Sequence, residues 1–243
     1  MALPRVACQD HSMALCAREL CGMRTQHHLR ILTLNEYVAG RLPEALGVVV
    51  ASHLAWCREC RHAADTAARR REGPREASQS ALPLDLPRPG LTALKARDRL
   101  APRADEMTAD EIGDFGLPMP LAVRLDGCSL DQIPWRKVLP GVAVRDLELP
   151  PGAAGHLRLV RISPGSALPE HGHGSCELSL VLRGAYSDQH GRYTIGDIAD
   201  LDGTAVHRPV ADDAGPCLCL VATETPVRYR SWLGSLWQRL TGM

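Results

Sequence analysis

One eight-residue stretch, His53-Leu-Ala-Trp-Cys57-Arg-Glu-Cys60, limits what this chain can fold into more than any other. It reads H-x3-C-x2-C and places one imidazole and two thiols close together. On a helix, His53 and Cys57 stand at i and i+4 on one face, and Cys60 follows a turn later. Three donors so placed supply most of a tetrahedral Zn²⁺ shell, with thiolate bonds of ~2.3 Å. The fourth must come from elsewhere. His28 is the best placed, because it precedes the first helical pattern and residues 32–50 can fold it back. A buried histidine beside two structural cysteines is the alternative, but the added histidine favours a metal beyond what a lone C-x-x-C would.

The surrounding pattern is helical. Leu32, Leu34, Tyr37, Val38 and Leu42 form a partial apolar stripe from about Thr33, ending at Pro43. Pro43 and Glu44 suit the first turn of a second helix that runs through Leu46, Val49 and Val50 to His53. A third helix, rich in Ala and Arg, is expected from Glu59 to Arg71; its Arg69-Arg70-Arg71 run is a solvated face that could also pair with an acidic partner. Helices this short bury little apolar area, so a zinc would serve as the staple that fixes where they cross. The exposed remainder of the stripe could then dock another protein. Residues 1–22 carry His11, Cys8, Cys16 and Cys21 without periodicity and are expected to be a disordered extension or the product of an early start codon. A redox-active cysteine cluster is the other reading of that segment. Residues 72–117 are expected to be a Pro-rich linker with a short helix over Leu91–Leu100.

Bulk properties narrow the class. A net charge of +0 with pI about 7.1 gives no basic face for nucleic acid, so any effect on transcription would pass through another protein. Nine cysteines are an odd number, which argues for ligation or redox chemistry in a reducing compartment over a closed disulfide framework. No apolar run approaches the roughly 20 residues that span a bilayer, and the start lacks an apolar signal core. A cytoplasmic protein with no membrane partner is expected. With a single Phe, at Phe115, packing must rest on Leu, Val and Ala.

After about residue 117 the period changes to two. Residues 156–162, 177–182 and 216–221 alternate as strands, separated by Gly, Asp and Pro breaks, as in an antiparallel barrel or sandwich. Within them, Gly165 to Gly184 reads G-x5-H-x-H-x3-E-x6-G. His171, His173 and Glu177 share parity, so on extended chain all three point to one side, where an unpaired buried carboxylate would be costly. His207, at the end of the next hairpin, completes a set of three imidazoles and one carboxylate suited to a metal. Cys217 and Cys219 lie on one face of a late strand and read either as core packing or as an oxidant target. The tail from Ser231 places Trp232, Leu233, Leu236, Trp237 and Leu240 on one helical face, for packing on the barrel or a second subunit, or more weakly as a membrane-surface anchor.

The Gly165–Gly184 stretch resembles the first cupin motif, and Gly196 and His207 keep part of the second, in which Asp202, Thr204 and Ala211 stand where a Pro, a Gly and an Asn are usual. The arrangement His28 … His53-x3-Cys57-x2-Cys60 resembles the zinc-binding anti-sigma domain. In this order, over roughly residues 24–228, the two sets resemble the ChrR-type zinc-binding anti-sigma factors. The resemblance implies an α+β chain: a small zinc-stapled helical bundle at 23–71, then an antiparallel cupin β-barrel at 118–228, with an amphipathic helix at 229–243. It also implies a function. Such a protein sequesters an extracytoplasmic-function sigma factor, gripped between the bundle and the linker helix, and releases it under oxidative stress, with singlet oxygen as the expected signal. Zn²⁺ is expected at both centres, with Fe²⁺ or Mn²⁺ as alternatives in the cupin, and no catalytic residues. The rival class is a metal-dependent cupin dioxygenase with a fused zinc module.

Overall fold

The computed structural model describes residues 25–72, 117–125, 130–172, 174–225 and 228–229. The expectations for residues 1–22, for a helix at 91–100, for His173 and for a helix from Ser231 fall outside the described residues.

Three helices open the chain: α1 (Ile31–Val38), α2 (Glu44–Trp56) and α3 (Arg58–Glu72). Helix α1 stops earlier than its apolar stripe suggests because Gly40, at φ 69, takes the left-handed conformation that closes a helix, and its N–H reaches the Tyr37 carbonyl at 2.9 Å. Helix α2 has almost no polar face, and its Ala45, Leu46, Val48, Val49, Val50, His53 and Leu54 are all buried. The H-x3-C-x2-C stretch is not one continuous helix. Cys57 leaves the helical region at φ −97, ψ 107, so α2 ends before it and α3 begins after it. Cys57 nonetheless keeps the last α2 hydrogen bond, N–H to the His53 carbonyl at 2.8 Å.

A short helix, α4 (Met119–Ala122), leads into the strands β1 (Arg136–Leu139), β2 (Val142–Asp146), β3 (His156–Ile162), β4 (His171–Gly172), β5 (Glu177–Arg183), β6 (Ala185–Asp188), β7 (Gly191–Thr194), β8 (Ile198–Leu201), β9 (Val206–His207), β10 (Val210–Ala211), β11 (Cys217–Thr223) and β12 (Arg228–Tyr229). They form one six-stranded sheet, β1-β2-β3-β11-β5-β8, and two three-stranded sheets, β10-β6-β7 and β12-β4-β9, antiparallel throughout. The hydrogen bonding therefore does not run unbroken around a closed barrel among the described residues. Gly184, the last glycine of the long motif, turns β5 into β6 at φ 70, where a Cβ would run into the Pro216 carbonyl.

The six-stranded sheet is buried on both faces. On the inner face, Val144, Val160, Val181, Cys217 and Cys219 pack with Tyr186 and Tyr193 of the β10-β6-β7 sheet. On the outer face, Leu159, Leu178, Leu180, Ile198 and Leu220 share one core with Leu34, Ala45, Leu46, Val49 and Leu121. Helix α2 thus lies on the cupin sheet, and the helical module and the strands form a joint core. The near-continuous apolar runs of β5 and β11 follow from this, since a strand covered on both faces has no polar side to show.

Candidate metal centres

In the helical module, His28, His53, Cys57 and Cys60 bring one donor atom each to within 4.8 Å of one another, as the spacing predicts. His53 arrives from the last turn of α2, Cys57 from the break, Cys60 from the first turn of α3, and His28 from the extended segment before α1. The break lets the two thiols meet, and Cys57 Sγ accepts the N–H of Cys60 at 3.4 Å, capping α3. His28 Nδ1 lies 3.2 Å from Cys57 Sγ and 3.7 Å from Cys60 Sγ, while its Nε2 faces the Glu59 carboxylate at 3.1 Å. His53 Nδ1 must donate to the Gly196 carbonyl, 3.0 Å away, which leaves an unprotonated Nε2 that is buried without a hydrogen-bond partner. An orphaned imidazole lone pair beside two buried thiols fits a soft cation such as Zn²⁺. Hydrogen bonding from Cys60 pulls the Cys57 thiol below its usual range, the direction that favours the thiolate a metal needs.

The second cluster, His171, Glu177 and His207, is buried and also converges within 4.8 Å. His173 is outside the described residues, so its place in the set stays an expectation. The set does not assemble along one extended strand, as parity alone implied. His171 lies in the β12-β4-β9 sheet and Glu177 begins β5 of the large sheet, with a bend at 174–175 between them. His171 and His207 are direct cross-strand partners in β4 and β9. The turn before β9 holds because Asp202 Oδ1 accepts the N–H and hydroxyl of Thr204 at 3.0 and 2.6 Å, doing the work of the missing Pro and Gly.

The tautomers of this cluster follow from its partners. His171 Nδ1 donates to the Pro169 carbonyl at 2.8 Å, and His207 Nδ1 to Asp188 Oδ2 at 2.9 Å. Both Nε2 lone pairs then face each other across 3.0 Å, with Glu177 Oε1 3.6 Å from His207 Nε2. Two nitrogens bound to one ion at ~2.0–2.1 Å and a tetrahedral angle sit about 3.3 Å apart, so the observed approach fits a shared cation. Burial pushes Glu177 up to about 7, while burial and then the His207 charge push His171 down to about 4. Asp188, whose side chain is buried against His207 although its backbone is partly exposed, is a residue that spacing did not reveal. In the sequence it reads only as a turn residue, and it does hold the β6–β7 turn by accepting the N–H groups of His190 and Gly191. Cys217 and Cys219 place their sulfurs 3.7 Å apart in the inner core.

Comparison with known proteins agrees with this geometry. Residues 125–226 match the family described as "ChrR Cupin-like domain". The chain is 38% identical over 223 residues to the anti-sigma-E factor ChrR of Cereibacter sphaeroides, covering 89% of this chain and 98% of that one. Among solved structures it is similar to the crystal structure of Rhodobacter sphaeroides SigE in complex with the anti-sigma ChrR, with TM-score 0.63 and 35% identity, over 82% of this chain and 100% of that chain. With a helical four-donor centre, a cupin centre after it and a relative matched along almost its full length, this chain belongs to the family of the anti-sigma factor ChrR.

Proposed function

We propose that this protein is an anti-sigma factor that binds an extracytoplasmic-function sigma factor, keeps it from RNA polymerase core, and gives it up under oxidative stress, with singlet oxygen as the signal. The supporting observation is the breadth of the likeness, which runs through both modules of a ChrR chain whose solved form is a complex with SigE. Zn²⁺ at His28, His53, Cys57 and Cys60 would fix the helices in their capturing arrangement. His171, His173, Glu177 and His207 would hold a divalent metal in the cupin, Zn²⁺ or else Fe²⁺ or Mn²⁺ by the nature of the donors. A partner that works on polymerase would put the protein's action in the cytoplasm. No described helix is long and apolar enough to cross a membrane. The capturing surface includes the outward side of α1, where Ile31 and Leu32 stand exposed.

The test is to mix the protein with its cognate extracytoplasmic-function sigma factor, identified by co-purification, and run transcription from that sigma factor's promoter. Stoichiometric inhibition is expected. Full transcription at equal or excess ratio refutes the function, and O₂ uptake on a small substrate with iron in the cupin would put a dioxygenase in its place.

A further inference from the structure

Of the four donors in the helical module, three come from the α2–α3 corner and only His28 comes from the extended segment before α1. Its neighbours are held by the barrel. The N–H groups of Gln26 and His27 both donate to Oδ1 of Asp197, at 2.6 and 3.0 Å. The His27 carbonyl accepts from the Ile198 N–H at 3.3 Å, and the His27 ring lies against Tyr193 with centroids 4.2 Å apart. On the other side of His28, Arg30 gives its N–H and its Nε to the two oxygens of Asp200, each at 2.9 Å. Residues 26, 27 and 30 are therefore fastened to the cupin, with the ligand between them.

Asp197 is the centre of this fastening. It is fully buried, and its second oxygen, Oδ2, accepts the N–H and hydroxyl of Thr194 at 2.8 and 2.9 Å. One carboxylate thus joins the β7–β8 turn to the chain that carries His28. The residue before it, Gly196, holds His53 through its carbonyl. Two of the four donors take their orientation from one barrel turn, although all four belong to the helical module.

We propose that Asp197 is a positioning residue for the metal centre of the helical module, setting His28 over the two thiols so that the cupin takes part in that centre's affinity. This rests on the reading of the cluster as a zinc site. In the full-length protein, Asp197→Ala removes both halves of the link. Gln26→Pro removes one donor on an exposed residue and leaves the barrel's own bonds intact. Zn²⁺ affinity is measured by competition with a chromophoric chelator. Co²⁺ substitution reports the coordination, because of the two donor clusters among the described residues this one offers thiolates, and its thiolate-to-cobalt absorption stands apart from the cupin's spectrum. Loss of a partner that orients a ligand typically weakens metal binding by about 10–100-fold, and a drop in this range is expected for Asp197→Ala, with a smaller one for Gln26→Pro. The thiolate band should persist while the d–d bands change as His28 is displaced. Wild-type affinity and an unchanged cobalt spectrum in Asp197→Ala overturn the proposal. If that variant does not fold, the same result in Gln26→Pro overturns it. A wild-type protein that takes up no zinc at the thiolate centre instead defeats the metal reading on which the proposal stands.

Discussion

Replacing Glu177 with glutamine will stabilise the metal-free protein at alkaline pH while abolishing metal binding by the cupin. The reason is burial. Glu177 opens β5 against the inner core, where desolvation raises its ionisation from the usual 4.5 to about 7. Below 4.5 both folded and unfolded carboxyls are protonated and the site costs nothing. Between 4.5 and 7 the unfolded chain ionises while the folded chain keeps its proton, so stability falls as pH rises through this window. Above 7 the whole penalty is present. At about 1.4 kcal/mol per tenfold change in proton affinity, it amounts to about 3 kcal/mol. Glutamine has nothing to ionise and escapes it. Urea unfolding in chelator at pH 5 and pH 8 measures the difference between the two proteins, and the pull of burial on His171 is common to both. The variant should be within about 1 kcal/mol of wild type at pH 5 and about 3 kcal/mol more stable at pH 8. Added Zn²⁺ should then restore the wild type alone. A gap that is the same at both pH values would refute the desolvated carboxylate.

Four other perturbations probe separate parts of the molecule. Leu46→Ala, at the buried contact of α2 with the cupin sheet, should cost about 2–5 kcal/mol in urea unfolding, and a negligible loss would mean that the joint core is not formed in solution. Cys60→Ser should empty the helical centre and release the sigma factor while the cupin keeps its metal, as read by metal analysis and a pull-down. Asp188→Asn should weaken cupin metal binding by about 10–100-fold, because His207 loses the carboxylate that fixes its tautomer; unchanged affinity in a chelator titration would rule this out. Ile31→Glu with Leu32→Glu should leave stability within about 0.5 kcal/mol but weaken sigma-factor capture by on the order of tenfold or more in a binding assay, and full-strength capture would remove α1 from the interface.

Much of both centres was legible in the sequence because their donors are close neighbours in the chain. His53, Cys57 and Cys60 lie within eight residues, and His171 and Glu177 within seven, so local geometry alone brings each group near itself. What misled was the assumption that regular structure continues through a motif. Cys57 breaks the helix and Gly172 ends a short strand, and in both cases the irregular backbone is what turns the donors towards one another. Asp188 was hidden for a related reason: its partner lies 19 residues away and its own surroundings look like an ordinary turn.

The sequence by itself determined the order of helices before strands, most members of the two candidate clusters and the family likeness, because periodicity and residue spacing act over a few residues. Only the tertiary structure decided that α2 covers the outer face of the cupin sheet, that His171 and His207 stand opposite each other, and that Asp197 reaches across 170 residues to the chain beside His28. A long-range hydrogen bond leaves no periodic trace, and an apolar residue carries no mark of which face will bury it. Those contacts exist only once both partners have been folded into place.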